Sequence, residues 1–362
     1  MHRLVIATPL YPPEIGGPAT YAKLLEEGLP GKGIEVELVK FSTVRHLPKL
    51  LRHYAYYRRI RAALRGADAV LALDPVSVGL PAMHAAKKAG KPLIVKIVGD
   101  YAWEQGRQRF GVAEPLDEFV KTRRVSFSVR MFRRIQTRVA RNATRVIVPS
   151  GYLKGIVAAW GIPSEKIEVI YNAVALEEPG VVPEAVAKLP RPLVVTAGRL
   201  VPWKHIDGII DALADIPEAS LAIVGDGPLR ATLTRRAGEK LPGRATFTGA
   251  LSHKDTLAIM KSADIFVLNS SYEGLSHLLI EAQALGVPTV ATRVGGNSEV
   301  ISDGENGILV PEGDTPALTR ALAHALGDTE LRARLTARAA ESAKRFSIEA
   351  MLTKTTILLH TV

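Results

Sequence analysis

Asn269 to Asn297 read N-S-S-Y-E-G-L-S-H-L-L-I-E-A-Q-A-L-G-V-P-T-V-A-T-R-V-G-G-N, and the run Ile265-Phe266-Val267-Leu268 stands just before them. Four large apolar residues in an unbroken row read as a strand buried on both faces, as in a parallel sheet. Residues 270–274 then make a turn, and a helix is expected over 276–285. Gly286 ends that helix and Pro288 opens the next strand at 289–292. The stretch is therefore one βαβ unit. Two carboxylates frame its helix start, Glu273 on the turn and Glu281 two helical turns on. The first N–H groups of a helix lack partners within it, so a helix opening at a strand's carboxyl end suits a phosphate with polar groups beside it.

Outward from this unit the same alternation repeats. Toward the N-terminus, strands are expected at 4–7, 36–41, 69–73, 93–98, 145–148 and 167–171, with helical segments between them. A long loop, 8–18, follows the first strand and carries Pro12-Pro13 and Gly16-Gly17. Residues 173–192 hold Pro179, Pro183, Pro190 and Pro192 with little periodicity, and are read as a linker. The pattern restarts at 193–196, 221–224, 245–248, 265–268, 289–291 and 308–310, then gives an amphipathic helix at 330–344 and a helical tail at 346–360. Alternating strands and helices predict an α/β protein with two Rossmann-like, doubly wound parallel sheets, in domains 1–172 and 193–346.

Composition narrows the class. At 362 residues with 47% hydrophobic content, the chain is too long for one ordinary α/β core and rich enough to bury two. No apolar run reaches the ~18 residues needed to span a bilayer, and the first nine residues are too short a hydrophobic segment for a signal peptide. There is no cysteine, which excludes disulfides and thiolate metal sites and makes a reducing cytoplasm the expected location, with the inner face of the membrane as the variant. The formal charge of +11 is uneven: residues 1–190 hold 29 Lys/Arg against 17 Asp/Glu, and residues 191–362 hold 18 against 19. Residues 38–67 contain eight cations and no acid, and residues 119–164 ten cations and no acid. In the second segment Val125, Val129, Phe132, Ile135 and Val139 keep helical spacing, while Arg130, Arg134, Arg138 and Arg141 fall on another face. In the first, Arg52 to Arg65 interleave with Tyr54, Tyr56 and Tyr57. Two readings stand, a solvated cationic face over a packed core and a surface for anionic lipid. No recognised nucleic-acid motif accompanies the charge, so nucleic acid is not expected as a partner.

Chemistry is concentrated at the expected strand ends of the second domain. Gly198-Arg199-Leu200 closes its first strand and Lys204 follows five residues after Arg199; a guanidinium can fork onto phosphate oxygens and an ammonium adds a point charge. Gly225-Asp226-Gly227 ends the next strand and Thr248-Gly249-Ala250-Leu251 the one after. Each alone is also what an ordinary turn looks like. Four successive strand ends carrying Arg/Lys, Gly-Asp-Gly, Thr-Gly and Glu-x7-Glu are harder to dismiss. A nicotinamide dehydrogenase is not indicated, because the loop from Pro9 to Gly17 lacks Gly-x-Gly-x-x-Gly.

On Gly16-Gly17, Gly198-Arg199-Leu200 with Lys204, Gly225-Asp226-Gly227, and Glu273-Gly274-Leu275 through Glu281-Ala282, the chain resembles the retaining glycosyltransferases of family 4. That resemblance implies the GT-B fold, two Rossmann-like domains facing across a cleft, with the tail at about 347–362 packed back on the first. It implies a nucleotide-diphosphate sugar donor, UDP- or GDP-linked, and transfer to a hydroxyl acceptor that is lipid-linked or a polysaccharide precursor. Glu281 would hold ribose hydroxyls and Glu273 the sugar. Backbone groups at Gly274, Leu275 and Ser276 would meet the sugar and diphosphate, and Arg199 and Lys204 the leaving diphosphate. Gly16 and Gly17 would let the first loop approach the phosphates, and Gly225, Asp226 and Leu251 would complete the donor site. No metal or other cofactor is expected, since no Asp-x-Asp occurs and the nine histidines show no ligand spacing. One departure stands out: many family members carry a His where this chain has Val98-Gly99-Asp100, so Asp100 is expected either to take the sugar's 6-hydroxyl, contact the acceptor, or cap a helix. His84, His205, His253 and His277 are read as local packing or capping residues. Two rivals remain, a catalytically silent sugar-nucleotide-binding protein docking on anionic membranes and a sugar-nucleotide epimerase of the same fold.

Overall fold

The computed structural model describes residues 1–362 except Ile15 and Ala175, and except the side chains of Lys49 and Leu50; Lys49, one of the cations counted above, thus lies outside the described side chains. The chain forms two units, Met1–Ala173 with Ile348–Val362, and Val174–Ser347.

In the first unit the apolar runs become β1 (Arg3–Thr8), β2 (Glu35–Lys40), β3 (Ala69–Ala72), β4 (Leu93–Lys96), β5 (Arg145–Val148) and β6 (Ile167–Val169). They pair in parallel in the order β2-β1-β3-β4-β5-β6. Helices α1 (Gly17–Gly28), α2 (Lys49–Ala63), α3 (Gly79–Ala89), α4 (Tyr101–Arg109), α5 (Leu116–Lys121), α6 (Phe127–Asn142) and α7 (Gly151–Ala159) cover both faces. Leu4, Val5, Ile6 and Ala7 are all fully buried, which is why their run does not alternate.

The second unit opens with the short α8 (Glu184–Ala187), then builds β7 (Leu193–Ala197), β8 (Ser220–Val224), β9 (Ala245–Gly249), β10 (Ile265–Leu268), β11 (Thr289–Thr292) and β12 (Ile308–Val310). Its helices are α9 (Ile206–Ala214), α10 (Arg230–Lys240), α11 (His253–Lys261), α12 (His277–Ala284), α13 (Asn297–Val300), α14 (Thr315–Gly327) and α15 (Thr329–Ala343). The sheet order is β12-β11-β10-β7-β8-β9, again parallel. The last helix, α16 (Ile348–His360), returns to the first unit, where Met351, Leu352, Leu358 and Leu359 join the core made by Leu4, Ile6, Leu25 and Leu71.

Both sheets have a point where the strand order reverses, between β1 and β3 in the first unit and between β7 and β10 in the second. Loops leaving the carboxyl ends of two such strands diverge and open a crevice for a ligand. Strand lengths depart from expectation where apolar residues run past the ladder. The run 93–98 contributes only Leu93–Lys96 to β4, because Val98 is 41% exposed and Asp100 already caps α4.

Candidate functional site

The expected site falls at the switch point of the second sheet. The turn after β10 is tied to the loop after β7: Asn269 Nδ2 donates to the His205 carbonyl at 3.0 Å, and Ser271 N to the Trp203 carbonyl at 2.8 Å. This anchoring brings Lys204 Nζ to 2.5 Å from Glu273 Oε1, and the Ser270 hydroxyl donates to the same oxygen at 2.8 Å. The lysine and glutamate side chains are only 16% and 13% exposed, so their attraction is screened less than a surface pair's. Gly198 turns the chain at φ +135°, a region favouring glycine, and the Lys204 side chain lies against it.

A second support comes from the loop after β11. Gly296 N donates to the Glu273 carbonyl at 2.9 Å. A Cβ at Gly295 would stand 1.9 Å from that carbonyl oxygen, and one at Gly296 2.4 Å from the Gly274 oxygen. The Glu273–Leu275 turn therefore rests on backbone with no room for side chains. Ser276 caps α12, accepting from Leu279 N at 3.3 Å, and is 3% exposed. Glu281, 7% exposed on α12, lies 3.0 Å from His253 Nε2, whose Nδ1 is 3.6 Å from Glu177. The hydrogen bond to Glu281 holds the imidazolium of His253 above the ordinary histidine range, against the opposing effect of burial.

The remaining expected residues take several places. Arg199 is exposed at the end of β7, with no carboxylate within ion-pair distance among the described residues. Gly225 and Gly227 are fixed by packing, since Cβ atoms there would stand 2.0 Å from the Gly198 oxygen and 2.5 Å from the Leu200 oxygen. Asp226 accepts from Gly227 N and pairs with Arg230 at 2.8 Å; the Gly227 N–H and that guanidinium hold its carboxyl below the usual range. Leu251 is half-buried between β9 and α11. In the first unit, Gly16 stands at φ +149° as the N-cap of α1, while nothing lies within 4 Å of a Cβ placed on Gly17.

Asp100 requires correction. It is 1% exposed and serves as the N-cap of α4, with Oδ1 accepting from Trp103 N at 2.9 Å and Gln136 Nε2 at 3.0 Å, and Oδ2 from Trp160 Nε1 at 3.1 Å. Both oxygens are occupied within the fold, so of the expected roles the cap is the one it fills. His253, expected to be a local packing or capping residue, pairs with Glu281. Ser270, Gly295 and Gly296 were not assigned from sequence. Their signals were present in the quoted stretch, a Ser three before Glu273 and a Gly-Gly after the following strand. No helix among the described residues is long and apolar enough to cross a membrane.

Two parallel six-stranded sheets with these strand-end sites define a GT-B protein, and comparison agrees on the fold. The UDP complex of Alr3699/HepE from Anabaena is similar at a TM-score of 0.79 and 20% identity over 100% of both chains, and sucrose-phosphate synthase from Thermosynechococcus elongatus at 0.78 and 22% over 100% of this chain and 99% of that one. Residues 183–342 match the family of glycosyl transferases group 1, and residues 2–173 the glycosyl transferase 4-like domain. The chain belongs to this glycosyltransferase family. Among curated relatives, the lipopolysaccharide core biosynthesis glycosyltransferase LpsE of Rhizobium meliloti is 36% identical over 44% of this chain and 47% of its own. The GDP-mannose-dependent alpha-(1-6)-phosphatidylinositol monomannoside mannosyltransferase of Mycolicibacterium smegmatis is 33% identical over 53% of this chain and 55% of its own. The matched region thus spans about half the length of these relatives.

Proposed function

We propose that the protein transfers a sugar, with retention, from a UDP- or GDP-sugar to a hydroxyl of a lipid-linked or polysaccharide acceptor, without a metal. The observation that carries this reading is the convergence of Lys204, Ser270 and Glu273 at the β7/β10 switch point, beside the N-terminus of α12 and the buried Glu281. Glu281 accepts from two ribose hydroxyls. The turn Gly274–Ser276 offers backbone N–H groups to sugar and diphosphate. Arg199 and Lys204 stabilise the charge that grows on the diphosphate as its bond to the anomeric carbon breaks. The acceptor oxygen bonds to that carbon on the same face, and its proton passes to the departing phosphate oxygen. Glu273, oriented by Lys204 and Ser270, accepts from sugar hydroxyls. Gly17, with nothing within 4 Å of a Cβ placed there, leaves the backbone open to close approach by the diphosphate.

Relatives support donor and acceptor classes by name: one is GDP-mannose-dependent and acts on a phosphatidylinositol monomannoside, another builds a lipopolysaccharide core, and HepE is seen with UDP. The cytoplasmic side of a membrane, reached through the basic first half, is the location that fits such acceptors. The test is donor hydrolysis and binding with UDP- and GDP-sugars. Glu281→Ala should lose donor binding, and Glu273→Ala should lose turnover more than binding. Unchanged affinity and rate in both would contradict the reading.

A further inference from the structure

The first unit has a groove of about 980 Å³ whose walls come from α2, α3, α4, α6 and the loops after β2 and β3, and whose use the donor site does not explain. Its inner end lies at the carboxyl ends of the strands: Phe41 follows β2, Val76 and Ser77 follow β3, and Tyr101 follows β4. Its floor is apolar, with Leu80 and Pro81 from α3 and Phe132 and Ile135 from α6; the Tyr101 and Phe132 rings meet edge to face at 5.4 Å. This volume is in the range of small-molecule sites, and the β3 loop is one side of the switch point where α/β sheets bind ligands.

The groove's charged lining is cationic, Arg52, Lys87 and Lys88, beside the hydroxyls of Ser77 and three tyrosines and the imidazoles of His53 and His84. Arg52 leans over the Phe41 ring at 5.9 Å, and its Nε is buried without a hydrogen-bond acceptor among the described residues. His84, Lys87 and Lys88 continue the face of α3 that begins with Leu80 and Pro81, three and four residues apart, so this face runs from apolar to basic. Among the described residues no carboxylate lies within ion-pair distance of Arg52, Lys87 or Lys88. The nearby acid Asp74 makes no ion pair with these three cations; its oxygens accept from Val76 N, Ser77 N and the Ser77 hydroxyl, and its charge acts on His53. Unmatched cations around an apolar trough complement a molecule with a hydrocarbon chain and a phosphate. Several unpaired cations favour a multiply charged phosphate over a single carboxylate.

We propose that this groove binds a phosphate-bearing lipid, its hydrocarbon chain on the Leu80–Phe132 floor and its phosphate at Arg52. As the acceptor's site the groove rests on the glycosyl-transfer reading; as a lipid site it stands without it. The probe is farnesyl phosphate, titrated calorimetrically below its aggregation concentration, beside farnesol and inorganic phosphate. One saturable site is expected for farnesyl phosphate, with farnesol weaker by about tenfold or more and inorganic phosphate not bound. Arg52→Gln should reduce farnesyl phosphate to the affinity of farnesol, and Leu80→Asn should weaken both probes. The thermal transition and donor binding of each variant are measured alongside, so that misfolding is recognised and Arg52→Lys then substitutes as the milder change. Equal binding of farnesol and farnesyl phosphate, binding of inorganic phosphate alone, or indifference to Arg52→Gln overturns the proposal. Loss of donor hydrolysis in Glu281→Ala with farnesyl phosphate binding intact separates failure of one reading from failure of the other.

Discussion

The pair Glu281–His253 carries a prediction at the level of single side chains. Its 3.0 Å contact raises the His253 pKa, so the imidazolium gives the fold a contribution fully present below the unfolded value of about 6.5 and lost as pH rises through the raised value. A histidine titration followed by NMR should show His253 above 6.5, falling back toward it in Glu281→Gln; a midpoint unmoved by that substitution would show that Glu281 is not the cause. Gly295 gives a steric prediction. A methyl 1.9 Å from the Glu273 oxygen must push the turn away, so Gly295→Ala should cost about 1–3 kcal/mol of stability and depress turnover further than stability alone explains. Denaturant midpoints and donor hydrolysis measured together check it. Glu273 and Glu281 share one stretch and Lys204 stands beside Gly198-Arg199, so each could be picked out within its own motif, although the contact of Lys204 with Glu273 across 69 residues could not. His253 could not, since it reaches Glu281 across 28 residues and only the packing of α11 against α12 brings the two together. Asp100 shows the opposite limit: an acid before a helix reads the same whether it caps or binds, and only burial tells the two apart.

Among the elements, β4 holds the least comfortable residue. Lys96 is 2% exposed, its Nζ has no hydrogen-bond partner among the described residues, and it lies 3.8 Å from the centre of the Tyr21 ring. Burial pushes its pKa down to about 7. A depressed lysine costs the fold stability as pH falls from the unfolded value near 10.4 toward 7, because the unfolded chain takes up the proton first. Lys96→Met should therefore stabilise the protein by about 1–3 kcal/mol at neutral pH, with less gain near pH 10. Urea unfolding of both proteins at the two pH values measures this, and a gain independent of pH would sink it. α16 is the other element with a calculable role. Met351, Leu352, Leu358 and Leu359 are each at most 6% exposed, and Leu352 fills the space a side chain at Gly28 would need. At roughly 1.5–3 kcal/mol per buried side chain, deleting residues 348–362 removes more than a marginal domain can lose. The truncated chain should show a lost or markedly weakened transition for residues 1–173, while 174–347, a continuous stretch, keeps its own in calorimetry. The strands themselves were legible because two-sided burial writes itself as unbroken apolar runs. Their ends were not, since Ile97 and Val98 are as apolar as the residues that stay in the ladder.

At the scale of the molecule, the charge partition is the property no single element explains. The surplus of 29 Lys/Arg over 17 Asp/Glu in residues 1–190 is displayed rather than neutralised: Arg130, Arg134, Arg138 and Arg141 are exposed along α6, while Arg133 turns inward to the Phe119 and Thr122 carbonyls. Phe127, 78% exposed, and Met131, 43% exposed, stand on the same helix, so apolar groups accompany the cations. Tyr56 marks the boundary of this pattern on α2, because it is fully buried and donates to the Val39 carbonyl at 2.6 Å while Tyr54 is 59% exposed. A helix with exposed arginines and exposed phenylalanine is suited to the headgroup region of an anionic bilayer, each cation contributing about 1 kcal/mol near the surface. If the acceptor is a membrane lipid, this surface raises the local concentration at which the enzyme meets it. Vesicles rich in phosphatidylserine should bind the protein, neutral phosphatidylcholine vesicles should not, and binding should fade as the Debye length shrinks from about 10 Å at 0.1 M to about 3 Å at 1 M salt. Arg130→Glu with Arg134→Glu should weaken sedimentation with anionic vesicles while leaving donor hydrolysis in solution unchanged. Salt-independent binding would mean that Phe127 and Met131, not the arginines, make the contact, and a Phe127→Ser variant would then lose what the charge reversals retain.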